Sequence, residues 1–162
     1  MFMNNSTMVS TTAEHALRAL VEMASLPDGN TIRGKQLAQA AGIPSNYLSK
    51  ILWTLGSAGL IDATRGSGGG YRMRRHASDI RLFEVVELFD RQRWKQRCFL
   101  SGEHDCDEAN QCPAHDAWRR VRAVYTEFLE LTTIADFAIP CATRTGLISI
   151  AGCDPVEGAG PR

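Results

Sequence analysis

The sequence predicts a mainly α-helical protein with a small β wing, organised as a winged helix-turn-helix domain followed by a long dimerisation helix. Three observations lead to this prediction. Apolar residues recur at helical spacing through most of residues 10–90, and a glycine-containing turn joins two short helical patterns. A glycine-rich segment then separates two short runs that read as strands.

The first helix is expected to begin near Ser10 and to end at Leu26. Ser10, Thr11 and Thr12 are candidate N-cap residues, since a side-chain oxygen there can accept from a free backbone N–H group. The turn sequence Pro-Asp-Gly-Asn at 27–30 ends the pattern.

A predicted pair of helices follows at residues 33–41 and 46–58. The segment Gly42-Ile43-Pro44 separates them, and Ser45 can cap the second helix. Two helices joined by a short turn that contains glycine are the signature of a helix-turn-helix. An ordinary helical hairpin is the alternative interpretation.

The next pattern predicts a two-stranded wing. Residues 60–64 and 71–74 read as strands, and the glycine-rich segment 65–70 connects them. A glycine-rich loop can also hold a nucleotide phosphate, but that requires a strand-loop-helix context and a Gly-Lys-Ser/Thr motif, neither of which is present. A helix-turn-helix followed by a hairpin therefore indicates a winged-helix domain.

The distribution of charge favours a polyanionic partner for this domain. Residues 30–97 contain twelve Lys/Arg and five Asp/Glu, a net of +7, whereas residues 98–137 contain three and eight, a net of −5. A solvated basic face is the alternative. We expect double-stranded operator DNA to be contacted by polar and basic side chains of the second helix and by the wing. The candidates are Arg33, Ser45, Asn46, Tyr47, Ser49, Lys50, Arg65, Gly66, Ser67 and Gly68.

A short helix at 81–90 precedes a longer one that is expected to begin at Cys112-Pro113. Along the longer helix, Trp118, Val121, Tyr125 and Phe128 recur at steps of three and four residues. This seam favours homodimerisation, and burial against the helix's own domain is the alternative. A last short helix is expected at 133–137.

Three cysteines, Cys98, Cys106 and Cys112, lie between the basic domain and the long helix. Their gaps of seven and five residues are wider than those of paired zinc ligands, and thiolates also suit iron–sulfur clusters. A redox-active disulfide, or a catalytic thiol with His104 or His115, remains an alternative. Cys141 and Cys153, in the Gly/Pro-rich tail, are expected to be bystanders.

The compartment and the reaction class follow from what the sequence lacks. The N-terminus has no signal-peptide pattern, and no stretch approaches eighteen consecutive apolar residues. We therefore expect a cytoplasmic protein that does not bind a membrane. The sequence also supplies no orienting group for a catalytic thiol, so we do not expect an enzyme.

A combination of motifs resembles the Rrf family of bacterial winged-helix regulators. The match runs from about Thr11 to Ala138, through A-E-H-A-L-R-A-L, L-A-Q-A-A-G-I-P-S-N-Y-L-S-K-I-L, R-G-S-G-G-G-Y, D-I-R-L-F-E-V-V-E, the three cysteines and T-I-A-D-F. The resemblance implies a homodimeric transcription factor with a 2Fe–2S or 4Fe–4S cluster on Cys98, Cys106 and Cys112. RNA polymerase is a further candidate partner.

The fourth ligand of such a cluster is not fixed by the resemblance. His115 matches the position used in the IscR subfamily, and Glu14 matches the position from which the NsrR subfamily supplies a carboxylate of the partner subunit. We prefer His115, with Glu14 as the alternative and His104 and Asp105 as weaker candidates. The seven-residue first gap is similar to that of the RirA subfamily.

We accordingly divide the chain into five segments. They are a disordered N-terminus (1–9), a winged helix-turn-helix DNA-binding domain (10–90), a cluster-binding cysteine region (91–113), the dimerisation helix with the short terminal helix (114–138) and a disordered tail (139–162).

Overall fold

The protein folds into five α-helices and one antiparallel hairpin in the part of the chain that the structure, a computed structural model, describes: residues 8–27, 29–66, 69–95 and 111–138. The helices are α1 (Thr11–Ala24), α2 (Gly34–Ala41), α3 (Ser45–Ser57), α4 (Leu82–Lys95) and α5 (His115–Leu131), the strands are β1 (Ile61–Thr64) and β2 (Gly70–Met73), and two 3-10 turns lie at Ala77–Asp79 and Ile134–Asp136. The predicted fold class is confirmed.

Helix α1 lies at the centre of the domain and packs against α2, α3 and α4. The side chain of Ser10 caps it by accepting from the N–H of Ala13 at 3.1 Å. Its small and apolar face is fully buried. The core around it is formed by Ala16, Ala19, Leu20, Leu37, Leu48, Ile51, Leu55, Leu60, Ile80, Val85, Val86, Leu129 and Ile134.

The turn between α2 and α3 has the geometry that the sequence predicts. Gly42 adopts a left-handed conformation (φ 66°), which ends α2, and the N–H of Ile43 donates to the carbonyl of Ala38 at 2.9 Å. The N-cap of α3 is Pro44, which makes no side-chain capping bond. The expectation that Ser45 caps this helix is therefore wrong, because Ser45 is already its first helical residue.

The wing is larger than the predicted hairpin by one backbone bridge. Strands β1 and β2 pair with Ile61 opposite Met73, and Ile32 pairs with Tyr71 through two hydrogen bonds of 2.9 and 2.8 Å. A Cβ atom on Gly70 would lie 2.6 Å from the carbonyl oxygen of Ile32, so glycine allows this close approach.

Both ends of the cysteine region differ from the sequence prediction. Helix α4 continues to Lys95 instead of ending at Asp90, although Asp90 has non-helical torsion angles (φ −119°, ψ 16°). Helix α5 begins at His115 and not at Cys112-Pro113. Ser78 and Asp79, which precede α4, lie in a 3-10 turn. In the described residues, no helix is long and apolar enough to cross a membrane.

The far end of α5 is fixed to the start of α4. The N–H of Leu82 donates to the carbonyl of Thr132 at 3.0 Å, and the N–H of Ile134 donates to the carbonyl of Ile80 at 2.9 Å. The C-terminal end of α5 is therefore part of the domain core, where Leu129 and Ile134 are buried.

Candidate DNA interface and cysteine site

Helix α3 presents a polar face to solvent. The proposed DNA-contacting residues on it, Ser45, Asn46, Tyr47, Ser49 and Lys50, are all exposed, while Leu48, Ile51, Leu52 and Leu55 point into the core. Within this face, the hydroxyl of Ser49 donates to the carbonyl of Ser45 at 3.0 Å. The arrangement suits a helix that enters the major groove.

Tyr47 connects this helix to the first turns of α1. Its hydroxyl lies 3.1 Å from Oγ1 of Thr12, and its ring meets the ring of His15 edge-on, with centroids 5.8 Å apart. Nδ1 of His15 is buried and has no hydrogen-bond partner among the described residues. A displacement of the N-terminal end of α1 would therefore act directly on Tyr47.

The basic residues of the interface belong to three elements. Arg33 is exposed before α2, Lys50 on α3, and Arg65 with Gly66 at the edge of the wing. Ser67 and Gly68 lie outside the described residues. Within the described ranges, ion pairs form at Arg18, Arg72, Arg75 and Arg119 but not at Lys50 or Arg65, whose charges are thus available to phosphates.

Two of the four preferred cluster ligands fall within the described residues. Cys112 and His115 are half-buried at the start of α5, where the N–H of His115 donates to the carbonyl of Cys112 at 2.9 Å. A thiol and an imidazole held in one turn are a donor set that fits an iron–sulfur cluster. Cys98 and Cys106 lie outside the described residues, as do His104 and Asp105.

The alternative fourth ligand, Glu14, lies in the first turn of α1. Its carboxylate forms an ion pair with Arg18 one turn later. Ligation by Glu14 would have to displace or share this arginine, because a carboxylate oxygen that binds iron no longer accepts the same charge-assisted bond.

A buried carboxylate joins the chain just before α1 to α4, which precedes the cysteine region. Asp90, at the irregular position of α4, is only 6% exposed, and its Oδ2 accepts from the N–H of Ser10 at 2.7 Å. Burial raises the pKa of Tyr125 on α5, and the nearby charge of Asp90 raises that pKa further. Asp90 thereby connects α4 to the cap of α1 and faces α5.

The seam proposed on α5 divides between two faces. Tyr125 packs against the domain core and Trp118 is half-buried, whereas Val121 and Phe128 are exposed. The exposed pair is extended by Val124 and Leu131, which are 68% and 74% exposed. Residues 121, 124, 128 and 131 form an apolar stripe at steps of three, four and three, which we call the α5 stripe.

Sequence reasoning missed Asp90, Val124 and Leu131. A signal existed for Asp90, which follows Val86 by four residues and Leu82 by eight, so it lies on the apolar side of its helix. Val124 and Leu131 were hidden because two overlapping stripes of apolar residues run along α5, and the sequence does not state which one the core covers.

Comparison with known proteins identifies the family to which this architecture belongs. The model of the Rrf2 family, whose description is iron-dependent transcriptional regulator, matches residues 9–139. The chain belongs to the Rrf2 family. This confirms the resemblance read from the motifs, and it shows a DNA-binding transcriptional regulator and not an enzyme.

Individual relatives of this Rrf2 regulator differ in what their names say. It is 34% identical, over 80% of each chain, to a protein of Mycobacterium tuberculosis named as an HTH-type transcriptional regulator. It is 29% identical to the HTH-type transcriptional regulator IscR of Vibrio atlanticus, over 75% of this chain and 69% of the relative.

The fold of this Rrf2 protein also matches that of CymR, named the global cysteine regulator of Bacillus subtilis. The TM-score is 0.66, with 23% identity over 80% of this chain and 95% of CymR. At this identity the likeness shows the shared winged-helix fold alone.

Proposed function

We propose that this Rrf2 protein is a cytoplasmic, homodimeric regulator whose affinity for operator DNA is controlled by an iron–sulfur cluster. Cys98, Cys106 and Cys112 are the thiolate ligands and His115 is the fourth, with Glu14 of the partner subunit as the alternative. The observation that carries the proposal is the pairing of Cys112 and His115 in the turn that begins α5. When bound, a cluster supplies sensitivity to iron shortage, oxidation or nitric oxide.

The chain's own residues connect α4, which precedes the cysteine region, to the DNA interface. Asp90 precedes Cys98 by eight residues and binds the N–H of Ser10, which caps α1. Thr12, two residues later, contacts the hydroxyl of Tyr47 on α3. The contacts from Asp90 to Ser10 and from Thr12 to Tyr47 are hydrogen bonds, so a shift of α4 at Asp90 can change the position of α3.

Dimerisation converts such a shift into a change of affinity. DNA-binding helix-turn-helix dimers place their recognition helices about 34 Å apart, in successive major grooves. The α5 stripe is the candidate surface for the second subunit, because exposed apolar residues at heptad-like spacing gain free energy when a partner helix covers them. Rotation of α5 relative to α3 would then alter the distance between the two recognition helices, which must match the spacing of the half-sites in the DNA.

Anaerobic purification with iron and sulfide analysis and visible absorption tests the proposal. The wild-type protein and Cys153→Ala, which alters a cysteine of the tail, are expected to contain iron and acid-labile sulfide and to be coloured. Cys106→Ala is expected to be colourless. A colourless wild-type protein with stoichiometric zinc would contradict the cluster itself, and a Cys106→Ala variant that keeps its colour would contradict the ligand set.

The fourth ligand is tested by two further variants. His115→Ala is expected to change the visible spectrum and to speed cluster loss, while Glu14→Ala leaves both unchanged. The reverse result would assign the position to Glu14 of the partner subunit.

A cysteine loop that works without iron is the second candidate, either stabilised by zinc or switched by disulfide formation. The observation that favours it is the likeness to CymR of Staphylococcus aureus, which is 27% identical over 80% of this chain, with a TM-score of 0.62, and whose structure is that of an oxidized form. It predicts a titratable disulfide or stoichiometric zinc in a protein that contains no sulfide, so the same metal analysis separates the two.

A further inference from the structure

Helix α3 exposes an aromatic side chain that the sequence-based set of DNA contacts leaves out. Trp53 is 75% exposed, the largest exposed fraction among the large apolar side chains that the structure describes. It is not part of the core, since the buried residues of α3 are Leu48, Ile51, Leu52 and Leu55. Trp is enriched at interfaces, where its large apolar ring becomes covered, so Trp53 is a candidate contact residue.

Trp53 lies on the same stripe of the helix as the polar contacts. It follows Asn46 by seven residues and Lys50 by three, and both of these are exposed. The helix contains no acidic residue, and Lys50 makes no ion pair among the described residues. The stripe therefore carries a net positive charge, which suits the phosphates of DNA.

The hydroxyl groups of the polar neighbours of Trp53 donate to carbonyls of their own helix. The hydroxyl of Thr54 donates to the carbonyl of Lys50 at 3.1 Å, and that of Ser57 donates to the carbonyl of Trp53 at 2.8 Å. Their O–H donors are thus used within the helix. Among the exposed side chains from Lys50 to Ser57, the indole N–H and the ammonium group of Lys50 are therefore the donors not used within the described residues.

We propose that Trp53 reads sequence by apolar contact with the C5-methyl group of a thymine in each half-site. In the major groove, the thymine methyl is the apolar group that distinguishes one base pair from the others. Seven helical residues span about 10 Å, so this thymine lies about three base pairs from the base that Asn46 faces. The inference rests on the operator binding proposed above and adds a determinant of specificity to it.

The purified protein is first used to select the duplexes that it binds from a random pool, and a selected duplex then serves as the probe. Affinities are then measured by fluorescence anisotropy for the wild type, Trp53→Ala and Leu88→Ala, a matched control that removes an exposed apolar side chain from α4. Trp53→Ala is expected to bind the selected duplex about tenfold more weakly, and Leu88→Ala as tightly as the wild type.

Replacement of single thymines by uracil identifies the contact, because uracil lacks only the methyl group. At one position in each half-site, uracil is expected to weaken the wild type about as much as Trp53→Ala does and to leave Trp53→Ala unaffected. Unchanged affinity of Trp53→Ala, a selected site without thymine there, or a loss that uracil never reproduces would overturn the inference and leave operator binding standing. If the wild type enriches no duplex, operator binding itself is wrong and the inference falls with it.

Discussion

Asp90 connects three helices of the domain, although the sequence only placed it near the end of a predicted helix. It is a buried carboxylate whose oxygen accepts from the backbone of Ser10, and its charge acts on Tyr125. Buried carboxylates are costly unless they are hydrogen-bonded. The bond to Ser10 therefore fixes where the chain enters α1, and with it the contact between Thr12 and Tyr47.

Replacement of Asp90 by alanine is expected to destabilise the cluster-free protein by about 1–3 kcal/mol, because the N–H of Ser10 loses its acceptor. Urea unfolding followed by circular dichroism measures the change. Glu87→Ala, which removes an exposed carboxylate from the same helix, is the control and is expected to stay within about 0.5 kcal/mol of the wild type. Equal stability of the two variants would show that the hydrogen bond between Ser10 and Asp90 does not stabilise the fold.

Removal of the charge of Arg65, at the wing, tests the proposed DNA interface. Arg65→Ala is expected to weaken binding to a selected operator about tenfold and to lower the slope of affinity against salt concentration by about one, since one phosphate or minor-groove contact is lost. Arg119→Ala, on the exposed polar side of α5, is the matched control. If both variants bind equally tightly, the wing does not contact DNA.

At the scale of elements, local patterns were sufficient for the helix-turn-helix and the wing. Ser10, Gly42 and the glycine-rich hairpin each satisfy a backbone requirement that short sequence motifs express directly. The bridge between Ile32 and Tyr71 was not predictable in the same way, because it joins residues far apart in sequence and occupies a single position. The same reason explains why Asp90 and Ser10 were not paired in advance.

Helix α5 shows more clearly that hydrophobic periodicity alone does not predict which residues are buried. Its residues at steps of three and four belong to two stripes, one that contains Leu129 and packs on the domain, and one that contains Val124 and faces solvent. A sequence reports that a helix is amphipathic, but tertiary packing decides which apolar stripe is covered within the chain. The dimerisation residues therefore remain a prediction, now centred on the α5 stripe.

The α5 stripe can be tested by a single charge. Val124→Glu is expected to convert the dimer to a monomer in sedimentation-velocity experiments, because a carboxylate in an apolar interface loses its hydration. Ala123→Glu introduces the same charge at the neighbouring exposed position and is expected to remain dimeric. Dimers of equal stability in both variants would show that another surface joins the subunits.

At the scale of the whole molecule, the proposed DNA-contacting surface and the proposed cluster site are connected through packed helices, since α5 contacts α4, α4 contacts α1, and α1 contacts α3. In this proposal, the exposed, basic face of α3 and the wing contacts DNA, and the turn from Cys112 to His115 forms part of the cluster site. Allosteric control requires that the two states of the sensor differ in affinity for DNA, commonly by a coupling free energy of about 1–3 kcal/mol. The family match and the donor set support this proposal from different directions.

The affinity of the full-length protein for one selected operator duplex, measured anaerobically with and without the reconstituted cluster, tests the central claim most directly. The account predicts that the two forms of the wild type differ by at least about fivefold. It also predicts that Cys106→Ala, after the same reconstitution treatment, shows one affinity throughout. Equal affinity of the cluster-loaded and cluster-free wild-type protein would contradict it.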